Sequence, residues 1–161
     1  MAKMRNVRHL LLVTSLACGP LATGTALGAD RSIIALPQFS ASDPPAAELA
    51  SQIRQRAKER LSQLEPYTVS EASDVSTDMR VNRAPDFSTW QSHGVKFLIL
   101  AEVSFQHDGR LRIEARVWDV PGRRQLDGQQ FVLQAADWQR AANELTDDIV
   151  SDLMRADAAP G

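Results

Sequence analysis

The sequence predicts an α/β domain of the α+β type, in which two main amphipathic helices cover a mixed sheet of about five strands. Three features predict this fold class. Apolar residues recur at helical spacing in residues 49–64 and again in residues 138–153. Three strand patterns separated by turn signals follow one another between residues 95 and 134, as in an antiparallel meander. A short apolar run at residues 32–36 adds a further strand, and helices laid on one face of such a sheet bury both stripes.

The first 29 residues have the organisation of a secretory signal peptide. Its basic start is formed by Lys3, Arg5 and Arg8. An apolar run follows at residues 10–18, and no charged residue occurs before Asp30. The run is about half as long as a membrane span requires and is followed by the helix breaker Pro20, so a cleaved signal is favoured over an uncleaved anchor.

We expect cleavage after Ala29, with Gly28 or Ala26 as alternative sites, and secretion of the remaining chain across the inner membrane into the periplasm. A lipoprotein is a further alternative, in which the single cysteine, Cys18, carries the lipid. The preceding residues 15–17 match the required Leu-Ala-Gly-like triplet only in part, because Ser stands at the outer position.

Cleavage at this site leaves 132 residues, which is enough for one domain at residues 30–156 with a short flexible tail at residues 157–161. No cysteine remains, so the domain has no disulfide framework. These residues carry 15 Lys and Arg against 20 Asp and Glu, a net charge of −5. An exported acidic domain is a poor nucleic-acid binder, and we exclude that class of function.

The first half of the domain reads as a strand followed by a helix. The strand at residues 32–36 ends at Pro37, and Asp43 with Pro44 forms an N-cap with proline at the first helical position. Pro66 ends the helix. Its apolar stripe consists of Leu49, Ile53, Ala57, Leu61 and Leu64. This stripe is expected to cover the sheet of the same chain; the alternative is a groove for a partner.

A brief second strand is predicted at residues 67–69, followed by a polar surface loop at residues 70–84. Asp86 is expected to cap a short helical turn that places Phe87 and Trp90 on one face. These two aromatic side chains are expected to be hydrophobic plugs, which pack into the core and hold the turn against it. An aromatic binding site is the alternative.

The second half contains the meander and the closing helix. Strands are predicted at residues 95–105, 111–118 and 129–134, and residues 107–109 form the first tight turn. A second amphipathic helix follows Asp137, which is its expected N-cap.

The domain lacks the sequence signatures of an active site. Two histidines remain, His93 and His107, each close to a turn glycine, and no HExxH pair, phosphate-binding glycine loop or Gly-x-Ser-x-Gly elbow occurs. His107 and Asp108 supply two potential metal ligands where a tetrahedral site needs three or four, so they are interpreted as turn residues. We therefore predict no enzyme activity, no metal and no cofactor.

Basic residues gather at one end of the meander. Arg112 and Arg116 share the outward face of their strand, with Glu114 between them. This face is either a solvated surface of mixed charge or an anion-binding face for envelope glycans or lipid head groups.

The order of these motifs resembles the TolB N-terminal domain family, the first domain of the periplasmic component of the Tol-Pal system. Five segments carry the resemblance: residues 33–39, 87–99, 108–120, 125–131 and 137–149. They include a Trp-x-x-x-Gly turn at Trp90 and Gly94, an Asp-Gly hairpin at residues 108–109 and a strand that ends in Trp-Asp at residues 118–119. The resemblance covers most of residues 31–154 and implies a fold like the anticodon-binding domain of some aminoacyl-tRNA synthetases.

The sequence departs from the family pattern at several points. TolB-like proteins carry a C-terminal six-bladed β-propeller that docks the lipoprotein Pal, and a partner-switching segment before the first strand. Because this chain ends at Gly161 and few residues separate the expected cleavage site from Ser32, we expect both elements and Pal docking to be missing. Asn143 stands where the family commonly has His, and Val150 where it commonly has an aromatic residue.

The resemblance implies a periplasmic, non-catalytic protein-interaction module that contacts another envelope protein, linked to Tol-Pal envelope maintenance or protein import. The alternative is a structural or ligand-binding envelope protein that recognises anionic lipid or glycan through Arg112 and Arg116. Neither reading includes nucleic acid or a stable membrane span after cleavage.

Overall fold

The structure, a computed structural model, describes residues 31–75 and 79–158. The predicted signal peptide, its cleavage after Ala29, the lipid-bearing alternative at Cys18 and the last three residues of the predicted tail lie outside the described residues.

The described chain folds into one six-stranded mixed sheet with helices, which confirms the predicted fold class. The strands are β1 (Ser32–Ala35), β2 (Ser40–Ala41), β3 (Tyr67–Ser70), β4 (Val95–Phe105), β5 (Leu111–Asp119) and β6 (Arg124–Leu133). The α-helices are α1 (Pro44–Leu61), α2 (Phe87–Ser92) and α3 (Trp138–Ala158). The sheet order is β3-β1-β4-β5-β6, and β2 pairs with the far end of β4.

The meander and the parallel strands meet at β4. Strands β3, β1 and β2 are parallel to their neighbours, whereas β4, β5 and β6 are antiparallel, as predicted. Two details differ from the prediction. The two-residue strand β2 lies in a segment that was predicted to be a turn, and β6 begins at Arg124 rather than Gln129. The early start of β6 involves an irregular register with β5, which a regular alternation pattern does not predict.

Helices α1 and α3 pack on one face of the sheet and form the first core. The carboxylate of Asp43 caps α1 as predicted, since its Oδ1 accepts a hydrogen bond from the backbone N–H of Ala46 at 2.9 Å. The fully covered stripe of α1 consists largely of small residues, namely Ala46, Ala50, Ile53, Ala57 and Leu61. Leu49 and Leu64 are only half-buried at its margins, because alanines allow the helix to approach the sheet closely.

The opposite face of the sheet carries a second core, which corrects the prediction of a surface loop at residues 70–84. Ala72 and Val75 from this segment are buried in one cluster with Leu98 and Trp118 of the sheet, and Val81 is also buried. The segment has few apolar residues, but Ala72 and Val75 among them pack against the apolar side chains that β4 and β5 present on this face. The polar composition of the segment therefore led to a wrong prediction of solvent exposure.

Helix α2 completes the second core. Trp90 is fully buried, and the ring of Phe87 makes an edge contact with Trp118 at a centroid distance of 5.7 Å. Asp86 caps the helix by accepting a hydrogen bond from the backbone N–H of Ser88. The interpretation of Phe87 and Trp90 as plugs is confirmed, and the alternative of an exposed aromatic site does not hold.

The C-terminal end of α3 differs from the prediction, whereas its N-cap at Asp137 stays a prediction. Asp137 is the last residue of a 3-10 turn (Ala135–Asp137), and α3 begins at the next residue, Trp138. The helix continues to Ala158 and includes Asp157, which was assigned to the flexible tail. The Asp157 carboxylate accepts hydrogen bonds from the Tyr67 hydroxyl and from Lys96 Nζ, and these contacts hold the last turn against the sheet.

Candidate interaction surface

Strand β6 forms one edge of the sheet along its ten residues. Among the described residues it pairs only with β5. The opposite edge, β3, has four residues. A long unpaired edge presents a row of free backbone N–H and C=O groups, which is a ready template for another strand. The β6 edge is therefore the longest edge of the sheet at which backbone groups can form hydrogen bonds with a partner strand.

The register of the meander identifies which main-chain groups of β6 are free. At the β4–β5 turn, Gln106 N–H donates to the carbonyl of Arg110 at 2.8 Å. In the register of these strands, the even-numbered residues therefore form the hydrogen-bonded pairs between β4 and β5. Odd-numbered residues of β5 therefore bond to β6, where they oppose Asp127, Gln129, Phe131 and Leu133. The alternate residues point their N–H and C=O groups away from the sheet. These are Gly128, Gln130 and Val132, and all three are exposed. The N–H of Gly128 is used by the Asp127 carboxylate, so the free N–H groups are those of Gln130 and Val132.

The two arginines that were singled out in the sequence lie next to this edge. Arg112 and Arg116 project from the uncovered part of the second sheet face, and each donates a hydrogen bond to the carboxylate of Glu114 between them. Arg112 also donates to Gln130 Oε1 at 3.0 Å, which joins the strip to β6. Gly128 provides room for this arrangement, since an added Cβ there would lie 2.9 Å from Cδ of Arg116.

The charges of this strip are largely balanced. Glu114 is 11% exposed and binds both guanidinium groups, while Glu102 lies directly opposite Glu114 on β4. The geometry therefore describes a mixed-charge sheet face in which both arginines already have a carboxylate partner. Binding of an external anion by Arg112 and Arg116 stays a prediction.

The histidines and the hairpin turn serve local structure. The His93 ring lies 2.9 Å from the carbonyl oxygen of Thr89, at the end of α2. Asp108 accepts hydrogen bonds from the backbone N–H and the side chain of Arg110, and these bonds lower the pKa of its carboxyl group. In the described part of the chain, no cluster of three or more His, Cys, Asp or Glu side chains is placed to hold a metal ion.

A second, polar feature is the groove between α1 and α3, with a volume of about 370 Å³. Arg56 Nε donates to Asn143 Oδ1 at 2.5 Å, and Arg60 donates to Asp147 at 3.3 Å. These two hydrogen bonds join the helices across the groove. Its polar groups are thus used to hold α1 and α3 together.

Sequence reasoning located Arg112 and Arg116 but missed the adjacent edge. The signal was present in part, since the apolar run at residues 131–133 marks a strand over residues 129–134, and the last strand of a meander is an edge unless it is covered. No helix within the described ranges is long and apolar enough to cross a membrane.

An open mixed sheet with two helices on one face and a short helix with its flanking segment on the other defines a small α/β domain of the kind found at the start of TolB proteins. The chain belongs to the TolB amino-terminal domain family, whose model matches residues 25–126.

A solved TolB structure agrees with this assignment at the level of the fold. TolB from Acinetobacter baumannii is 17% identical and superimposes with a TM-score of 0.62 over 76% of this chain. The match covers 28% of that protein, so this chain spans less than a third of its length. The lipoprotein GNA1162 from Neisseria meningitidis is 12% identical, with a TM-score of 0.48 over 74% of this chain and 96% of its own. The LpoB C-terminal domain from Salmonella enterica is 9% identical, with a TM-score of 0.45 over 64% of this chain and 82% of its own.

Proposed function

We propose that this chain is a non-catalytic protein-interaction module of the bacterial cell envelope that pairs an extended segment of a protein partner with the free edge of β6. The open main-chain groups of Gln130 and Val132, together with the outward carbonyl of Gly128, are the observation that carries the proposal. Main-chain pairing of this kind supplies affinity through hydrogen bonds and is a recurring mode of peptide recognition.

The distribution of apolar side chains favours an extended occupant over a helical or globular one. Within the described ranges, the large hydrophobic residues that are exposed are Val132 at 37% and Met154 at 61%. They lie on different elements, β6 and α3, so neither belongs to a broad apolar patch of the size that such interfaces use. Edge pairing requires no such patch.

Membership of the TolB amino-terminal domain family supports a role in the envelope, and we extend the proposal to Tol-Pal envelope maintenance or protein import. The partner is then an envelope protein with a segment that can become a strand. The whole-protein activities of TolB do not transfer directly, since this chain corresponds to a small part of the Acinetobacter protein.

The proposal includes export and removal of the signal peptide after Ala29. The expected result is a periplasmic protein whose first residue is Asp30, with Ala29 or Leu27 at the start if the bond after Gly28 or Ala26 is cut instead. N-terminal sequencing of the protein from a periplasmic fraction measures this. A mature protein that keeps Met1, or that carries lipid on Cys18, would contradict it.

A pair of substitutions at one position tests the docking site. Gln130→Pro removes an outward N–H that β5 does not use, so the domain should fold while the partner strand loses a hydrogen bond and meets the proline ring. Gln130→Ala removes the same side chain but keeps the N–H. Affinity capture from envelope extract should recover a defined partner with the wild type and with Gln130→Ala, and lose at least tenfold of it with Gln130→Pro.

Circular dichroism and thermal unfolding of both variants establish that each is folded. Equal recovery of the partner by the two variants would show that the β6 edge is not the docking site. Recovery of the bait alone by the wild type, across several salt concentrations, would contradict the interaction module itself.

A further inference from the structure

Two carboxyl groups meet where the edge strand β6 contacts α3. Asp127 lies on β6, and Asp152, whose side chain is 11% exposed, lies on α3. The two groups are within hydrogen-bonding reach of each other. A cavity of about 200 Å³ beside Asp152 is lined in part by Arg124, Leu126 and Arg155.

The hydrogen bonds around the pair leave one oxygen without a donor. Oδ2 of Asp127 accepts from Gln129 Nε2 at 2.9 Å, and Oδ1 of Asp152 accepts from Arg155 Nη1 at 2.8 Å. Oδ2 of Asp152 is buried, and no donor reaches it among the described residues. An ionised carboxylate oxygen can only accept, so a buried one with no donor is costly, whereas a protonated oxygen becomes a donor to a neighbouring carboxylate.

We propose that Asp127 and Asp152 share a proton, and that this proton is a pH-sensitive clamp between β6 and α3. The protonated Oδ2 of Asp152 donates to Asp127, which satisfies both groups. Loss of the proton leaves two adjacent negative charges that push the edge strand and the helix apart. The inference does not depend on what β6 binds.

The other charged groups at this contact do not replace the proton. Arg155 on α3 binds Asp152 from one side, but its side chain is 76% exposed and water screens its charge. Arg124 on β6 is held at 3.0 Å by the carboxylate of Asp119 on β5. Each carboxyl group therefore has a partner of its own on one oxygen and faces the other acid with its second oxygen.

The pKa shifts agree with this geometry. Burial and the neighbouring charge of Asp127 raise the pKa of Asp152. Burial acts in the same direction on Asp127, but hydrogen bonds from the Gln129 side chain and the Gly128 backbone outweigh it and lower its pKa. Because the folded state holds the proton of Asp152 more tightly than the unfolded chain does, its charge destabilises the fold above the raised pKa, and this effect disappears as the pH falls towards the ordinary Asp value of about 3.9.

The substitution Asp152→Asn tests the clamp, because its amide donates to Asp127 at every pH. The unfolding midpoint should rise by about 3 °C at pH 7 and should equal that of the wild type near about pH 4, where the wild-type acid is protonated. Asp148→Asn, an exposed position one turn earlier on α3, is the matched control for loss of a negative charge and should change the midpoint by less than about 1 °C at both pH values.

Nuclear magnetic resonance of the side-chain carboxyl carbons provides a second measurement that does not depend on stability. One proton of the pair should be released above the ordinary pKa of aspartic acid, and Asp127→Asn should return the remaining titration towards that value. Release of both protons at or below the ordinary range would overturn the proposal. A rise in the wild-type midpoint on adding millimolar Ca²⁺, absent in Asp152→Asn, would also overturn it by assigning the pair to a cation.

Discussion

Replacing Trp90 by alanine is expected to lower the free energy of unfolding by about 3–5 kcal/mol, the largest effect of any substitution considered in this domain. The Trp90 side chain is fully buried in the second core, where α2, Ala72 and Val75 cover the sheet. Its removal leaves a cavity beneath a segment with few other apolar contacts. Chemical denaturation of the purified domain measures the loss.

Two control substitutions locate the effect. Trp138→Ala removes the same side chain from a half-buried position at the start of α3 and should cost less than half as much. Trp90→Phe should also be milder than Trp90→Ala, because the indole Nε1 of Trp90 is buried without a hydrogen-bond partner among the described residues, so the ring and not its N–H stabilises the core. Equal costs for Trp90→Ala and Trp138→Ala would contradict a second core on this face.

Replacing Asp157 by alanine should cost about 1–2 kcal/mol at pH 7, although it was expected from sequence to lie in a frayed tail. The substitution leaves the hydroxyl of Tyr67, a residue only 6% exposed, without its acceptor. Lys96 contributes less to the loss, since its side chain is 39% exposed and its charge is screened. Thermal unfolding of Asp157→Ala against the wild type measures the effect.

The cost should depend on pH in a defined direction. Burial raises the pKa of Asp157, but hydrogen bonds from Lys96 and Tyr67 outweigh it and hold the pKa below its usual value. The stabilising contribution is therefore fully present above the ordinary Asp pKa of about 3.9 and is lost as the pH falls through the lower folded value. In a double-mutant cycle, Tyr67→Phe and Asp157→Ala should couple. The same loss of stability for Asp157→Ala at pH 3 and pH 7, or additive effects in the cycle, would contradict a stabilising contact between Asp157 and Tyr67.

Much of the fold could be predicted because local pattern and tertiary environment agree. The period-two alternation in β5 matches the covering of one face by α1 and α3, and Asp43 caps α1 as its position before a proline indicates. The Asp-Gly turn at residues 108–109 forms because Gly109 has a φ of +79°, a conformation that glycine adopts readily.

The remaining features depend on contacts between distant parts of the chain. Nothing local distinguishes the buried Ala72 and Val75 from solvent-exposed loop residues, because their burial depends on Leu98 and Trp118 in the sheet. Asp127 and Asp152 are ordinary acids in the sequence and become a pair only when β6 meets α3. Arg112 and Arg116 were found from their alternation, but their pairing with Glu114 and the free edge beside them require the sheet register.

Residue-resolved amide hydrogen exchange, with and without the captured partner, tests docking on the β6 edge most directly. The outward amides of Gln130 and Val132 should exchange quickly in the free domain and become protected in the complex. The inward amides of Asp127, Gln129 and Phe131 should already be protected in the free domain, because they bond to β5. Unchanged exchange at the two outward amides in a saturated complex, with new protection confined to other elements, would contradict the account.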